Sequence, residues 1–272
     1  MAEDGSTAFG SPKARPTGPK LLRPRWIFGH LLAAGLVALF IALGLWQVRR
    51  LDQRQAHNAI VIERSARQAL PLDEALAESE AAGEVLEYLP VTVEGEFAPE
   101  HEVLLRGRSI AGQPGFNVLT PLVLDGQDGT ATKTAVLVER GWVPYENDSV
   151  PVIAAPPPAG DVEVAGRLRA PTTRPPGASG RFAPRDPTEG ALVQTYYVDV
   201  QRLAMQMPFE LLGAYVQRTG SEPPQPAQLP LPLPEPEVDE GPHRGYAIQW
   251  FSFAVIGVVG YAILLRKVWR EG

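Results

Sequence analysis

Apolar positions along the 272 residues fall into two unbroken runs and, between them, a series of short punctuated ones. Residues 26–48 are apolar throughout apart from His30 and Gln47, and residues 246–265 are interrupted by Gln249 and Ser252. Each run matches the roughly 20 residues that an α-helix needs to cross hydrocarbon. The first exceeds the ~7–15-residue core of a secretory leader, and no small-x-small motif follows Trp46-Gln47-Val48-Arg49-Arg50, so it reads as an uncleaved anchor. Polar residues 51–68, with Ile60, Ile62 and several alanines, extend that helix outward until Pro71 resets the chain, and a short helix over 73–81 follows.

The interior runs are rich in Val, Leu, Tyr and Phe and bounded by Gly, Pro and Asp, which is the signature of strands. They predict strands at 91–97, 103–106, 117–124, 134–140, 162–168, 194–198 and 211–217, with a helix near 200–205. The expected fold class is a membrane α+β protein: two transmembrane helices flanking an extracytoplasmic, mainly antiparallel β domain, either an open sheet or barrel-like. Proline concentrates over 151–187 and 223–242, where dense proline favours extended backbone. The second stretch carries Glu222, Glu235, Glu237, Asp239 and Glu240 and reads as a linker held extended by self-repulsion. The expected organisation is a disordered basic tail over 1–24, a span at 25–48, the β domain with its juxtamembrane helix at 49–222, a linker at 223–244, a span at 245–265 and a tail at 266–272.

Charge supplies the orientation. Lys13, Arg15, Lys20, Arg23 and Arg25 precede the first run, and Arg266, Lys267 and Arg270 follow the second, which places both termini in the cytoplasm. Of the net charge of −6, the first 25 residues contribute +3 and the last seven +2, leaving −11 in between. An acidic central module argues against nucleic acid as a partner, because phosphate binding needs a basic face. The absence of cysteine excludes disulfides, thiolate nucleophiles, thiolate metal sites and c-type haem attachment.

Candidate chemistry is sparse. No phosphate-cradling glycine loop, Gly-x-Ser-x-Gly elbow or His-Glu-x-x-His pair occurs, so no enzyme activity is expected. His57 lies on the polar juxtamembrane helix, and His101, between Glu100 and Glu102, reads as a strand residue whose neighbours face away from it. His30 falls inside the first span near its inner end. Met205 and Met207 form a Met-x-Met pair expected to pack, and Asn147-Asp148-Ser149 follows Pro144 as a turn. The most informative group is His243, Tyr246 and Trp250, spaced three and then four residues apart on one helical face at the foot of the second span. By its own spacing this group reads as an interfacial aromatic anchor, with a metal-ligating imidazole as the alternative.

Four islands then coincide in order: Leu43-Gly44-Leu45-Trp46-Gln47-Val48-Arg49-Arg50, Gly115-Phe116-Asn117-Val118-Leu119-Thr120-Pro121-Leu122, Val136-Leu137-Val138-Glu139-Arg140-Gly141-Trp142-Val143-Pro144, and His243-Arg244-Gly245-Tyr246-Ala247-Ile248-Gln249-Trp250. Together they resemble the Surfeit locus protein one family over residues 28–266. The resemblance implies an assembly factor for haem–copper cytochrome c oxidase in a bacterial plasma membrane, one that assists maturation of the catalytic subunit. It also implies haem a as the cofactor bound or handed over, and the oxidase catalytic subunit, a haem a synthase and the lipid bilayer as partners. A scaffold that binds oxidase subunits and the synthase without cofactor is the alternative. His243 matches the family's histidine and is the implied axial ligand to haem iron. Tyr246 and Trp250 would pack on the macrocycle, and Trp46, Gln47 and Arg50 match the first island, with Arg50 suited to a propionate. Pro242 and Arg244 depart from the family pattern around the histidine. Arg140, Gly141 and Trp142 are expected to end a strand and turn, and Gly115 to serve a tight backbone path.

Overall fold

The computed structural model describes residues 23–124, 133–178 and 183–270. Most of the expected basic tail over 1–24, and the last two residues, lie outside them. The chain divides into two compact units, one of residues Met1–Ala56 with Asp239–Gly272 and one of His57–Val238.

The first unit holds the first part of helix α1 (Pro24–Ser65) and all of helix α4 (His243–Arg270). Both are long and apolar enough to cross a membrane. α4 starts at the histidine and runs through Arg266 and Lys267, so the second run is longer than its hydrophobic stretch and the expected tail is helical to Arg270. The helices meet antiparallel through side chains spaced alternately three and four apart. Gln47 meets His243, Phe40 stacks on Trp250 with ring centroids 5.9 Å apart, and His30 bonds the Tyr261 hydroxyl. Gly44 and Gly257 permit the approach: a Cβ on Gly44 would lie 2.7 Å from the Phe251 ring, and one on Gly257 3.4 Å from Val37 Cγ2.

The second unit is built on one eight-stranded sheet: β1 (Leu70–Pro71), β2 (Pro90–Phe97), β3 (Val103–Ile110), β4 (Gln113–Leu124), β5 (Thr134–Pro144), β6 (Asp161–Arg169), β7 (Gln194–Thr195) and β8 (Glu210–Glu222). The order is β1-β2-β6-β8-β5-β4-β3-β7. The expected mainly antiparallel sheet is in fact mixed. β8 inserts between β6 and β5, antiparallel to one and parallel to the other, and β1 and β7 pair parallel with β2 and β3. A three-residue pairing of Gly95–Phe97 with Leu122–Leu124 folds β2 toward β4 without making a clear barrel.

Helices α2 (Leu72–Ala82) and α3 (Val200–Ala204) cover separate patches of the sheet. α2 contributes Leu72 and Ala75 to a core with Val91, Val93, Val136, Val138, Val164 and Val216, and ends at Gly83, whose φ of +73° suits a left-handed cap. α3, capped by the Asp199 carboxylate on Arg202 N, contributes Val200 and Leu203 to a second core with Val103, Leu119, Leu137 and Tyr215. β4 and β5 are therefore buried on both faces, whereas β6 alternates strictly between buried and solvent-facing positions.

Several expected boundaries move for identifiable reasons. β3 and β4 continue into a two-residue hairpin whose turn residues Ala111 and Gly112 both have positive φ, the geometry of a type I′ turn. β5 runs through Arg140, Gly141 and Trp142 to Pro144 rather than ending there, because β4 stays paired with it to Gly115 opposite Pro144 and Trp142 also exchanges both backbone hydrogen bonds with Leu231. The expected strand at 194–198 shrinks to two residues, since Thr195 Oγ1 and Tyr196 N bond the Asp186 carboxylate instead of a ladder. His101 closes a 3₁₀ turn, Pro99–His101, and not a strand. The proline-rich stretch after β8 is not a free linker either. Leu231 is held on β5 and Glu235 pairs with Arg167, while within the other unit Asp239 pairs with Arg54 at 3.0 Å and Glu240 accepts from Gln55 at 2.7 Å.

Candidate functional site

The helical unit gathers part of the expected cluster. Gln47, one of two polar residues in the first apolar run, is only 7% exposed and points into the seam between the helices. Its Oε1 lies 2.8 Å from His243 Nδ1. A polar side chain in hydrocarbon is costly unless bonded, and this contact satisfies one end of each group. His243 and Trp250 are half-buried, and Trp250 stacks on Phe40 and meets Phe253 edge-on at 5.9 Å. Ala247, between them, is buried.

The remaining members face outward. Tyr246 is 47% exposed and Trp46 50% exposed. The triplet at the foot of α4 therefore splits: a heptad places His243 and Trp250 in the seam and turns Tyr246 out of it. Arg50, also exposed, lies over the Trp46 ring at 5.9 Å to the centroid and donates to Gln53 Oε1 at 3.3 Å. His243 thus takes Gln47 and not Trp46 as its hydrogen-bonding partner, and Arg244 is exposed.

His243 Nε2 makes no hydrogen bond within the described residues. It faces Gly241, where a Cβ would sit 3.7 Å away. Among the described residues no cluster of three or more His, Cys, Asp or Glu forms. A bare zinc or copper ion needs several protein donors, whereas haem iron arrives with four equatorial nitrogens and takes one imidazole from the protein. The donor set fits an axial haem ligand better than a bare-metal site. At the other end of the seam, His30 and Tyr261 border an apolar groove of about 480 Å³ lined by Ala33, Ala34, Val37, Ile41 and Val258 among others.

The β unit buries a different set. Arg140 is wholly buried in β5 and its guanidinium donates to Glu102 Oε1 at 2.5 Å, Ala155 O at 2.7 Å and Thr120 Oγ1 at 2.7 Å. Glu102 Oε2 accepts from Val152 N at 2.9 Å, and Thr120 donates to Glu102 Oε1. Burial depresses the Arg140 pKa, and the Glu102 carboxylate opposes that shift. Arg218, which donates to Arg140 O at 2.9 Å, is pushed down to about 10 by burial and then by the charge of Arg140. Next to them Glu139 accepts from Asn117 and Gln217. This closed set ties β4, β5 and the segment at 152–155 together and offers no open acid, base or nucleophile.

The two β islands are register partners. Gly115 lies opposite Pro144 and Asn117 opposite Trp142. A Cβ on Gly115 would strike Val143 O and come within 2.6 Å of the Trp142 ring, which bears out the tight backbone path expected there. Glu102 and Thr120 escaped the sequence reading, because partners 38 and 20 positions from Arg140 leave no local signal. Phe40 and Gly44 were accessible through their alternating three and four spacing with Gln47. His57 packs edge-on against Tyr88, and His101 against Phe209.

Residues 34–255 match the model of the SURF1 family. An uncharacterized SURF1-like protein of Mycobacterium bovis is 29% identical over 243 residues, covering 88% of this chain and 83% of its own length. A SURF1-like protein of Rickettsia felis is 24% identical over 85% of this chain and 93% of its own. The cytochrome oxidase assembly protein SHY1 of Saccharomyces cerevisiae is 29% identical over 136 residues, 50% of this chain and 31% of its own. With the family match covering the sheet and reaching into both apolar helices, the chain belongs to the SURF1 family.

Proposed function

We propose that this protein is a membrane-held assembly factor for haem–copper cytochrome c oxidase, assisting maturation of the catalytic subunit by binding or handing over haem a. The observation that carries the haem reading is the imidazole of His243, held through Nδ1 by Gln47, with no hydrogen-bond partner for Nε2 among the described residues. The yeast relative's name as a cytochrome oxidase assembly protein supports the process. In this reading His243 ligates iron, Trp250 and Tyr246 offer ring faces, and Trp46 and Arg50 form the neighbouring outer surface, Arg50 supplying a cation for a propionate. Bound haem a would be the redox group destined for the oxidase. The chain's own residues bind and orient and carry out no bond-making step, consistent with a non-enzymatic role. Its partners are the oxidase catalytic subunit, a haem a synthase and the bilayer.

The test is spectroscopic. Full-length protein coproduced with haem a biosynthesis is expected to show a Soret band after purification, and the His243→Ala variant to lack it. A wild-type protein without that band overturns the haem reading. Full oxidase maturation by His243→Ala would favour a scaffold that binds oxidase subunits without cofactor.

A further inference from the structure

A neutral imidazole carries one proton, so its two nitrogens play opposite parts: one donates, the other offers a lone pair. Gln47 turns its carbonyl oxygen toward Nδ1 at 2.8 Å, and a carbonyl only accepts. The proton of neutral His243 is thereby held on Nδ1 and the lone pair on Nε2. Gly241, whose φ of +64° favours glycine, presents no side chain to that nitrogen; a Cβ there would lie in van der Waals contact, 3.5 Å from Cδ2 and 3.7 Å from Nε2. Gln47 is itself fixed, being 7% exposed on a helix flanked by Gly44 against Phe251.

We infer that Gln47 is a positioning residue that never touches the cofactor: it sets the tautomer and ring orientation of His243, while Gly241 keeps the Nε2 face open to an incoming metal. The inference rests on the haem reading for what Nε2 binds, and on geometry alone for which nitrogen is available. It moves Gln47 out of the group expected to line the cofactor. An outer hydrogen bond of this kind orients a ligating imidazole and fixes its tautomer, and losing one costs about 10–100-fold in metal affinity.

Nuclear magnetic resonance of the full-length, ¹⁵N-histidine-labelled protein in nanodiscs, without haem and at alkaline pH, reads the tautomer directly, with His243 assigned by difference from His243→Ala. Wild type is expected to be protonated at Nδ1, and Gln47→Leu to move the proton largely to Nε2, the form free imidazole side chains prefer. In haem titrations of the same proteins Gln47→Leu should weaken binding by about 10–100-fold, and Gln47→Glu, which keeps an acceptor, should restore it. Gly241→Asn tolerates the positive φ but covers Nε2, so it should weaken haem binding while leaving the tautomer as in wild type. A wild-type proton on Nε2, with the Gln47 amide turned to donate, overturns the inference, as does Gln47→Leu with unchanged tautomer and affinity. A wild type that binds no haem but shows a Gln47-dependent Nδ1 proton supports the positioning and overturns the ligand reading, so the two failures are distinct.

Discussion

Arg140 has no exposed surface and yet remains a cation, because Glu102, Thr120 and the Ala155 carbonyl occupy its donors. Breaking one side of a buried pair leaves an uncompensated charge and costs about 3–5 kcal/mol, whereas replacing both sides with apolar groups can be neutral. Arg140→Leu is therefore expected to lower the stability of the full chain by about that amount, measured from its denaturant midpoint by tryptophan fluorescence. Arg140→Leu with Glu102→Leu should lose less than the sum of the two single variants. Additive losses would show that the two side chains do not act as a pair. At this scale the sequence singled out Arg140 and His243 through their islands but could not name what they touch. Glu102 read as a strand neighbour facing away from His101, and only the chain path that brings the 3₁₀ turn beside β4 and β5 makes it a buried counter-ion.

At the level of elements, the two apolar helices were legible from length and hydropathy, and their contact face was encoded as well. His30, Ala33, Val37, Phe40, Gly44 and Gln47 repeat at alternating three and four residues, and so do His243, Ala247, Trp250, Ala254, Gly257 and Tyr261. Because the native chain has no cysteine, the seam can be tested cleanly. Val37→Cys with Gly257→Cys is expected to cross-link within one chain on mild oxidation, and Leu36→Cys with Gly257→Cys to stay reduced, Leu36 being 44% exposed. Equal cross-linking of both pairs, read by mobility on gels, would refute the seam. Strand positions were likewise legible from β-branched runs between turn residues, but their ends were not. β5 extends because β4 stays paired with it to Pro144 and Leu231, far along the chain, bonds Trp142 on its other edge, and β7 contracts because Asp186 takes the Thr195 and Tyr196 bonds.

For the whole molecule, the basic flanks of the apolar runs argue for both termini in the cytoplasm and the β unit on the other side. Single cysteines introduced at Glu94, in β2, and at Arg270, the last helical residue, make this measurable. In intact cells opened only at the outer membrane, an impermeant maleimide should label Glu94→Cys and reach Arg270→Cys only after lysis; the reverse pattern would invert the topology. Hydropathy, composition and local turn chemistry determined the two long apolar helices, the existence and approximate places of most strands, and the exclusion of thiol chemistry, because these depend on residues near one another in the chain. Tertiary structure alone decided that β8 enters between β6 and β5, that Arg140 meets Glu102, that Leu231 in the acidic proline-rich stretch is bonded to Trp142, and that Gln47 meets His243 Nδ1. Those are contacts between distant segments, fixed by the need to satisfy buried polar groups wherever the packed chain places them.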